Sequence, residues 1–190
     1  AASQGQGHHT MIAMLVAENL GVTPEDILFE SADTSKFPHG IGTIGSRVAA
    51  NVGPSAFDAA FKVREKALKL AAEVLEASEA DLDIENGVVR VNGAPDLSIT
   101  LGELAIKLSP ASAMRVPAGF DPLLEATSYD GSSGSPIACG SNVAEVEVDP
   151  GTGEVKVLRY SVAHDCGVMI NPMIVHGQII GGVVHLVFFV

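Results

Sequence analysis

Three segments carry residues suited to holding an anionic ligand. The first, Gly5-Gln6-Gly7-His8, stands at the head of an apolar-periodic run. Backbone N–H groups and the helix dipole would favour an anion there, beside an amide that both donates and accepts. The second covers residues 40–48, where three glycines permit close backbone approach and Thr43, Ser46 and Arg47 supply donors of the kind phosphates take. It lacks the lysine of a Walker loop and does not match the dinucleotide fingerprint. The third joins Asn171-Pro172 to Gly177-Gln178, a second Gly-Gln pair leading into an apolar stretch with Gly181 and Gly182. Each has a plainer explanation as well: a glycine-rich cap, a flexible loop, and glycines that let helices pack closely.

Weaker candidates surround these. His8-His9 is too close a pair to share one metal easily from a helix. His164-Asp165-Cys166 could suggest a nucleophile or ligand cluster, but its place at the end of an apolar strand favours a buried structural trio. Asp33, Glu145 and Glu147 have no visible partner, and no residue is assigned as a catalytic base.

The elements that would position these segments follow from periodicity. Met11, Ile12, Leu15, Val16 and Leu20 predict a helix over residues 6–20, with Gly21 as its C-terminal cap. Thr23-Pro24-Glu25-Asp26 reads as a turn into a short strand over 27–30, followed by a long irregular loop over 31–52. Pro54 opens the longest helix, to about residue 77, with Phe57, Phe61, Leu68, Ala71 and Leu75 on its apolar side. Lys62, Arg64, Glu65, Lys66, Lys69 and Glu73 form its solvated face. Glu85-Asn86-Gly87 marks a hairpin within 81–91, and Thr100 with Glu103 a capping box that starts a helix to Leu108. Residues 109–140, with a Gly/Ser-rich run at 130–135, read as a long excursion. Alternation on either side of the Asp149–Gly153 turn predicts an antiparallel hairpin, and Met173 onward a buried helix. The order lacks regular βαβ alternation, so the expected class is α+β, with mixed helices and antiparallel strands.

Composition limits the alternatives. The 190 residues are 47% hydrophobic, enough for a core, which excludes a disordered chain. A net charge of −12 argues against a nucleic-acid partner. The two cysteines are too few for a disulfide framework, and a reduced, cytoplasmic setting is expected. No signal-peptide pattern is visible. The strongly apolar stretch 179–190 contains Gly181, Gly182 and His185 and, at 12 residues, falls short of the roughly 20 that span a bilayer, so a core segment and no membrane partner are expected. The first acidic residue is Glu18, and nothing from Cys166 to Val190 carries a formal charge, so both ends look like protein interior.

Taken in order, Gly5-Gln6-Gly7-His8, Gly42-Thr43-Ile44-Gly45-Ser46-Arg47, Asp165-Cys166-Gly167, Asn171-Pro172 and Gly177-Gln178-Ile179-Ile180-Gly181-Gly182 resemble the molybdenum-binding subunit of the xanthine dehydrogenase, aldehyde oxidase and carbon monoxide dehydrogenase family. Each motif is weak singly; the ordered set is specific and covers nearly the whole chain. The resemblance implies a section from the C-terminal half of a longer subunit. Residues 1–190 would then be a partial molybdopterin-binding domain, divided into a helix–hairpin region at 54–108, a long loop at 109–140, and a hairpin with a buried tail at 141–190.

The resemblance also implies a cofactor, molybdopterin with molybdenum, in bacteria often the cytosine dinucleotide form. Gln6 matches a position beside the molybdenum centre; Thr43, Ser46, Arg47 and Val48 match a loop that cradles the pterin and its phosphate; Gln178 matches an amide that contacts the pterin. Gly5, Gly7, His8 and Gly45 are neighbours of these positions. The family reaction is hydroxylation at an electron-poor C–H carbon, with electrons leaving through iron–sulfur clusters to a flavin. Its glutamate base lies in a Gly-Val-Gly-Glu type segment that this sequence does not contain, and Leu186-Val187-Phe188-Phe189-Val190 stands where small glycine-containing residues usually continue.

The expected partners are the remainder of the molybdenum subunit, iron–sulfur and FAD subunits or domains, and further copies of the chain in a homo-oligomer. Alone the chain is expected to be inactive. Two readings of other classes remain: a non-catalytic assembly module working through its apolar ends, and a phosphate- or nucleotide-binding protein that uses residues 40–48 without molybdenum.

Overall fold

The computed structural model describes residues 1–37, 40, 42–111, 116–129 and 137–188, with side chains to residue 185. Ile41, the Gly/Ser-rich run at 130–135 and the atypical end at Leu186–Val190 lie wholly or in their side chains outside the described residues. The chain divides into two compact units, Ala1–Ser133 and Gly134–Val190. Helices and antiparallel strands make up both, as the α+β expectation required.

In the first unit, helix α1 (His8–Leu20) packs on α2 (Gly53–Leu75), which also lies against a three-stranded antiparallel sheet and the short helix α3 (Leu101–Leu108). The sheet runs β1 (Leu82–Glu85), β2 (Val88–Val91), β3 (Ala94–Thr100) in that order. Leu82 and Ile84 alternate inward, and with Val89, Ile99, Leu104 and Leu108 they close over Ala67, Leu70 and Ala71 of α2. Asn86 and Gly87 take left-handed conformations, as the two-residue turn between β1 and β2 requires. The capping box forms as read from the sequence. Thr100 Oγ1 accepts the Glu103 N–H at 3.1 Å, and Glu103 Oε2 accepts the Thr100 N–H at 2.9 Å.

Gly21 ends α1 at φ +59°, donates its N–H to the Ala17 carbonyl and accepts the Gly87 N–H at 2.9 Å. Gly87 in turn accepts the Leu101 N–H at 2.9 Å, so one hairpin turn holds the end of α1 and the start of α3.

Several expectations are corrected. Residues 27–30 pair with no strand among the described residues; Glu30 instead meets Lys36 at 2.5 Å, and the Phe29 ring packs on His9. The buried stripe of α2 is Ala60, Ala67, Leu70 and Ala71, while Phe57 and Phe61 are 46% and 44% exposed. Small residues let α1 and the sheet approach; Ala71 is buried as expected and Leu68 and Leu75 pack against the core, so the departure is at Phe57 and Phe61. Nor is the charged side of α2 simply solvated. Arg64 reaches the Asn19 carbonyl at 3.0 Å and Asp83 at 2.8 Å, Lys66 donates to the Leu123 carbonyl at 2.6 Å, and Lys69 lies over the Phe120 ring. Strand β3 follows directly on the Asn92-Gly93 turn, making a sheet of the expected hairpin.

The second unit holds the hairpin β4 (Cys139–Val148) and β5 (Val155–Asp165) and the helix α4 (Pro172–Phe188). Asp149 Oδ1 accepts the Gly151 N–H at 2.7 Å, fixing the turn. The pairing shifts by one between Glu145↔Arg159 and Val146↔Val157, leaving Leu158 as a bulge. Asn171 Oδ1 caps α4 by accepting the Ile174 N–H at 3.1 Å. The expectations of a buried helix and of a core segment at 179–190 are not met: Met173 is 77% exposed, and Ile180 and Val184 are about half exposed. A two-stranded ladder offers no second layer to bury such a helix. His164, Asp165 and Cys166 are exposed for the same reason, not a buried trio.

Candidate functional site

The first helix begins in an unusual way. Its N-cap, Gly7, is left-handed at φ 74° and ψ 26°, a conformation that costs glycine little. The Gly7 carbonyl accepts the Met11 N–H at 3.0 Å, so the amides of the first turn have no intrahelical partner, and no side chain caps them. The first turn holds no acidic residue either. The result is a helix end whose donors and positive dipole no side chain among the described residues answers.

Ahead of it, Gln6 is held by Gln4: the Gln4 N–H donates to Gln6 Oε1 at 2.6 Å and Gln6 Nε2 to Gln4 Oε1 at 3.3 Å. His8, the first helical residue, is buried. Its pKa is held below the usual histidine value by burial above all, and also by His9.

The second segment comes to this place through one bond. Thr43 Oγ1 donates to the Ala2 carbonyl at 2.5 Å, tying the 42–47 loop to the stretch before α1. In that loop Gly45 and Ser46 are left-handed, at φ 64° and 53°, and Arg47 is right-handed at φ −102° and ψ −6°. A left-to-right alternation of this kind turns successive N–H groups toward one side, a concavity that takes anions. Ser46 is exposed, Arg47 half-buried and Val48 buried, so Val48 can offer its backbone N–H and not its side chain.

Val48 opens a π turn (Val48–Val52) that runs straight into α2, with the Asn51 N–H on the Arg47 carbonyl at 2.9 Å. Such wide turns are rare and occur often at functional sites.

Gly5, Gln6, Gly7, His8, Thr43, Gly45, Ser46, Arg47 and Val48 therefore share the first unit, and the Thr43–Ala2 bond joins their two segments. Gln178 belongs to the second unit, exposed on α4. Sequence reasoning missed Gln4 and the π turn. The Gln4-Gly5-Gln6 spacing was a usable signal for the first; the second has no signature in residue type. Asp33, set aside as a base, serves its own turn: Ser35 donates to it from both N–H and hydroxyl, holding its carboxyl below the usual range.

Comparison with known proteins places the chain. Residues 1–186 match the model of a family described as the molybdopterin cofactor-binding domain. The chain is 42% identical over 183 residues to the nicotine 6-hydroxylase large subunit of Paenarthrobacter nicotinovorans, covering 96% of this chain and 22% of that protein. It is 41% identical over 180 residues to the carbon monoxide dehydrogenase large chain of Hydrogenophaga pseudoflava, covering 95% of this chain and 22% of that one. Among solved structures, the reconstituted CO dehydrogenase from Oligotropha carboxidovorans superposes with a TM-score of 0.82 at 37% identity, over 96% of this chain and 22% of that chain. The chain thus spans about 22% of the length of these relatives. No helix among the described residues is long and apolar enough to cross a membrane. On its sequence and its fold alike, the chain belongs to the molybdopterin cofactor-binding domain family.

Proposed function

We propose that this chain is a section of a molybdenum hydroxylase large subunit and supplies part of the wall that holds molybdopterin. The observation that carries the reading is the Thr43–Ala2 bond, which ties a donor-lined loop to the stretch that leads into an uncapped helix end. That chemistry fits the group: exposed amides and an Ser46 hydroxyl suit its phosphate, and the Gln6 amide suits a polar centre. Gly5, Gln6, Gly7, His8, Thr43, Gly45, Ser46, Arg47 and Val48 of the first unit would hold it; for Gln178 the assignment rests on the family resemblance alone. Thr43 acts through its bond to Ala2, positioning the loop; the Ser46, Arg47 and Val48 amides bind. The bound group supplies redox chemistry for hydroxylating an electron-poor carbon, and this chain's residues bind and orient it.

The cytosine dinucleotide form, a cytoplasmic setting, iron–sulfur and FAD partners, and assembly into homo-oligomers belong to the same proposal. So does the division of residues 1–190 into a helix–hairpin region, a long loop, and a hairpin with its tail. The exposed apolar residues of α4 support a further role in assembly, since Met173, Ile180 and Val184 would be covered by the rest of the subunit.

The test is substitution in the complete subunit, produced in cells that make the cofactor. Q6A, S46A and Q178A should each lower molybdenum and pterin content per chain. Full content in all three removes the assignment. The isolated chain should show no turnover of an aldehyde or N-heterocycle; stoichiometric cofactor together with turnover would overturn that.

A further inference from the structure

Helical backbone runs without a break from Val48 to Leu75, the π turn Val48–Val52 passing directly into α2 at Gly53. Pro54 lies inside that run and not at its head. An interior proline has no N–H for the carbonyl four residues back, and its ring collides with that oxygen. Here the oxygen is that of Ala50.

The hydrogen bonds show how the collision is avoided. The Asn51 N–H still pairs four residues back, with the Arg47 carbonyl at 2.9 Å. The Gly53 N–H, the last before the proline, pairs five residues back, with the Val48 carbonyl. The pairing therefore widens directly ahead of Pro54, and a widening there takes the Ala50 carbonyl out of the position the ring would strike. Downstream the helix is seated: Gly53 is buried, with Leu15 Cδ1 3.6 Å from where its Cβ would stand, and Ala60, Ala67, Leu70 and Ala71 lie in the core. Upstream, residues 44–46 are exposed, so the adjustment passes into the loop. Pro54 is itself exposed and lies outside the core, so its influence is on the backbone.

We infer that Pro54 is a positioning residue for the donor-lined loop: by blocking four-residue pairing at Ala50 it holds the π turn, and through that turn it fixes where the Ser46, Arg47 and Val48 amides stand. The inference rests on the pterin reading proposed above, and Pro54 touches no ligand. With an N–H and no ring at position 54, the ladder closes in α pairing and the residues upstream are displaced by one place relative to α2.

The experiment compares Pro54→Ala with wild type in the complete molybdenum subunit, produced in cells that make molybdopterin. It reads amide hydrogen exchange over residues 48–54, Tm, molybdenum by elemental analysis and pterin by fluorescence after oxidative release. Alanine is the better helix former, so Tm should stand at or above wild type. Exchange over 48–54 should slow about tenfold as the four-residue bonds form, and cofactor content should fall about tenfold, the scale of one lost hydrogen bond. Adding Ser46→Ala to Pro54→Ala should cost nothing further, because the hydroxyl is already out of place. Wild-type exchange over 48–54, a content loss that merely tracks a lowered Tm, or losses from the two substitutions that multiply each overturn the role of Pro54. If Pro54→Ala fails to fold, Pro54→Ser carries the same comparison. A wild-type subunit with neither molybdenum nor pterin overturns the site reading and this one together; a loaded wild type with an equally loaded Pro54→Ala overturns this one alone.

Discussion

Replacing Gly21 with alanine should cost far more than the same change at Gly93, and the difference measures how tightly α1 is held to the sheet. Both glycines are left-handed, at φ 59° and 84°. A Cβ at Gly93 meets nothing within 4 Å, so the cost there is conformational, about 1–2 kcal/mol. A Cβ at Gly21 would stand 2.2 Å from the Ile84 carbonyl oxygen and 2.9 Å from its carbon. Both atoms are strand backbone, so no side chain can swing aside; the end of α1 and the strand must separate. That separation breaks the 2.9 Å bond from Gly87 N–H to the Gly21 carbonyl, worth about 1 kcal/mol, and loosens Ile84 in the core. The sum for G21A is about 3 kcal/mol or more, against about 1–2 kcal/mol for G93A. The entropy that alanine removes from the unfolded chain is the same in both and cancels. Urea unfolding followed by far-ultraviolet circular dichroism gives the two values. Equal losses would refute the claim that close approach, not backbone handedness alone, makes Gly21 a glycine.

Two other outcomes follow from bonds within the first unit. T100A should destabilise the chain by about 1 kcal/mol through loss of the α3 cap, with T100S close to wild type in thermal unfolding; an unchanged T100A would remove the cap's role. Asp83 is held below the ordinary aspartate value of 3.8 by the Ile84 N–H first and by Arg64. Because its folded pKa is the lower one, its stabilising contribution is complete above that ordinary value and disappears as pH falls through the folded pKa. D83N should therefore flatten the acid limb of urea midpoint against pH, and an unaltered limb would count against the Arg64–Asp83 bond.

What could be read from the sequence was what a few adjacent residues decide. The Gly21 cap, the Asn86-Gly87 turn, the Thr100–Glu103 box and the Asp149 turn each depend on local backbone chemistry, and all stand in the structure. The face of α2 was misread at its start because hydrophobicity favours Phe57 and Phe61, while close packing on α1 and the sheet demands alanine at 60 and 67; Ala71 is buried as read. Burial of α4 was misjudged because an uncharged helix says only that it needs cover, not where the cover comes from. At the site, the two glycine-rich segments were visible in the sequence. The Thr43–Ala2 bond between them spans 41 residues, and the unpaired Nδ1 of His8 depends on what packs around it, so neither has a trace in residue type.

The π turn at Val48–Val52 acts as an angular offset between the loop and the helix it feeds. A π turn is in effect an α-turn with one residue inserted, and each residue of an α-helix rotates the chain by roughly 100°. With one residue fewer the helix would run smoothly, but Ser46 and Arg47 would leave α2 on a different bearing. Those five residues thus work as a vernier: they set the direction of the loop in a single step, while Gly53 and the rest of α2 keep their seat against Leu15 and the core.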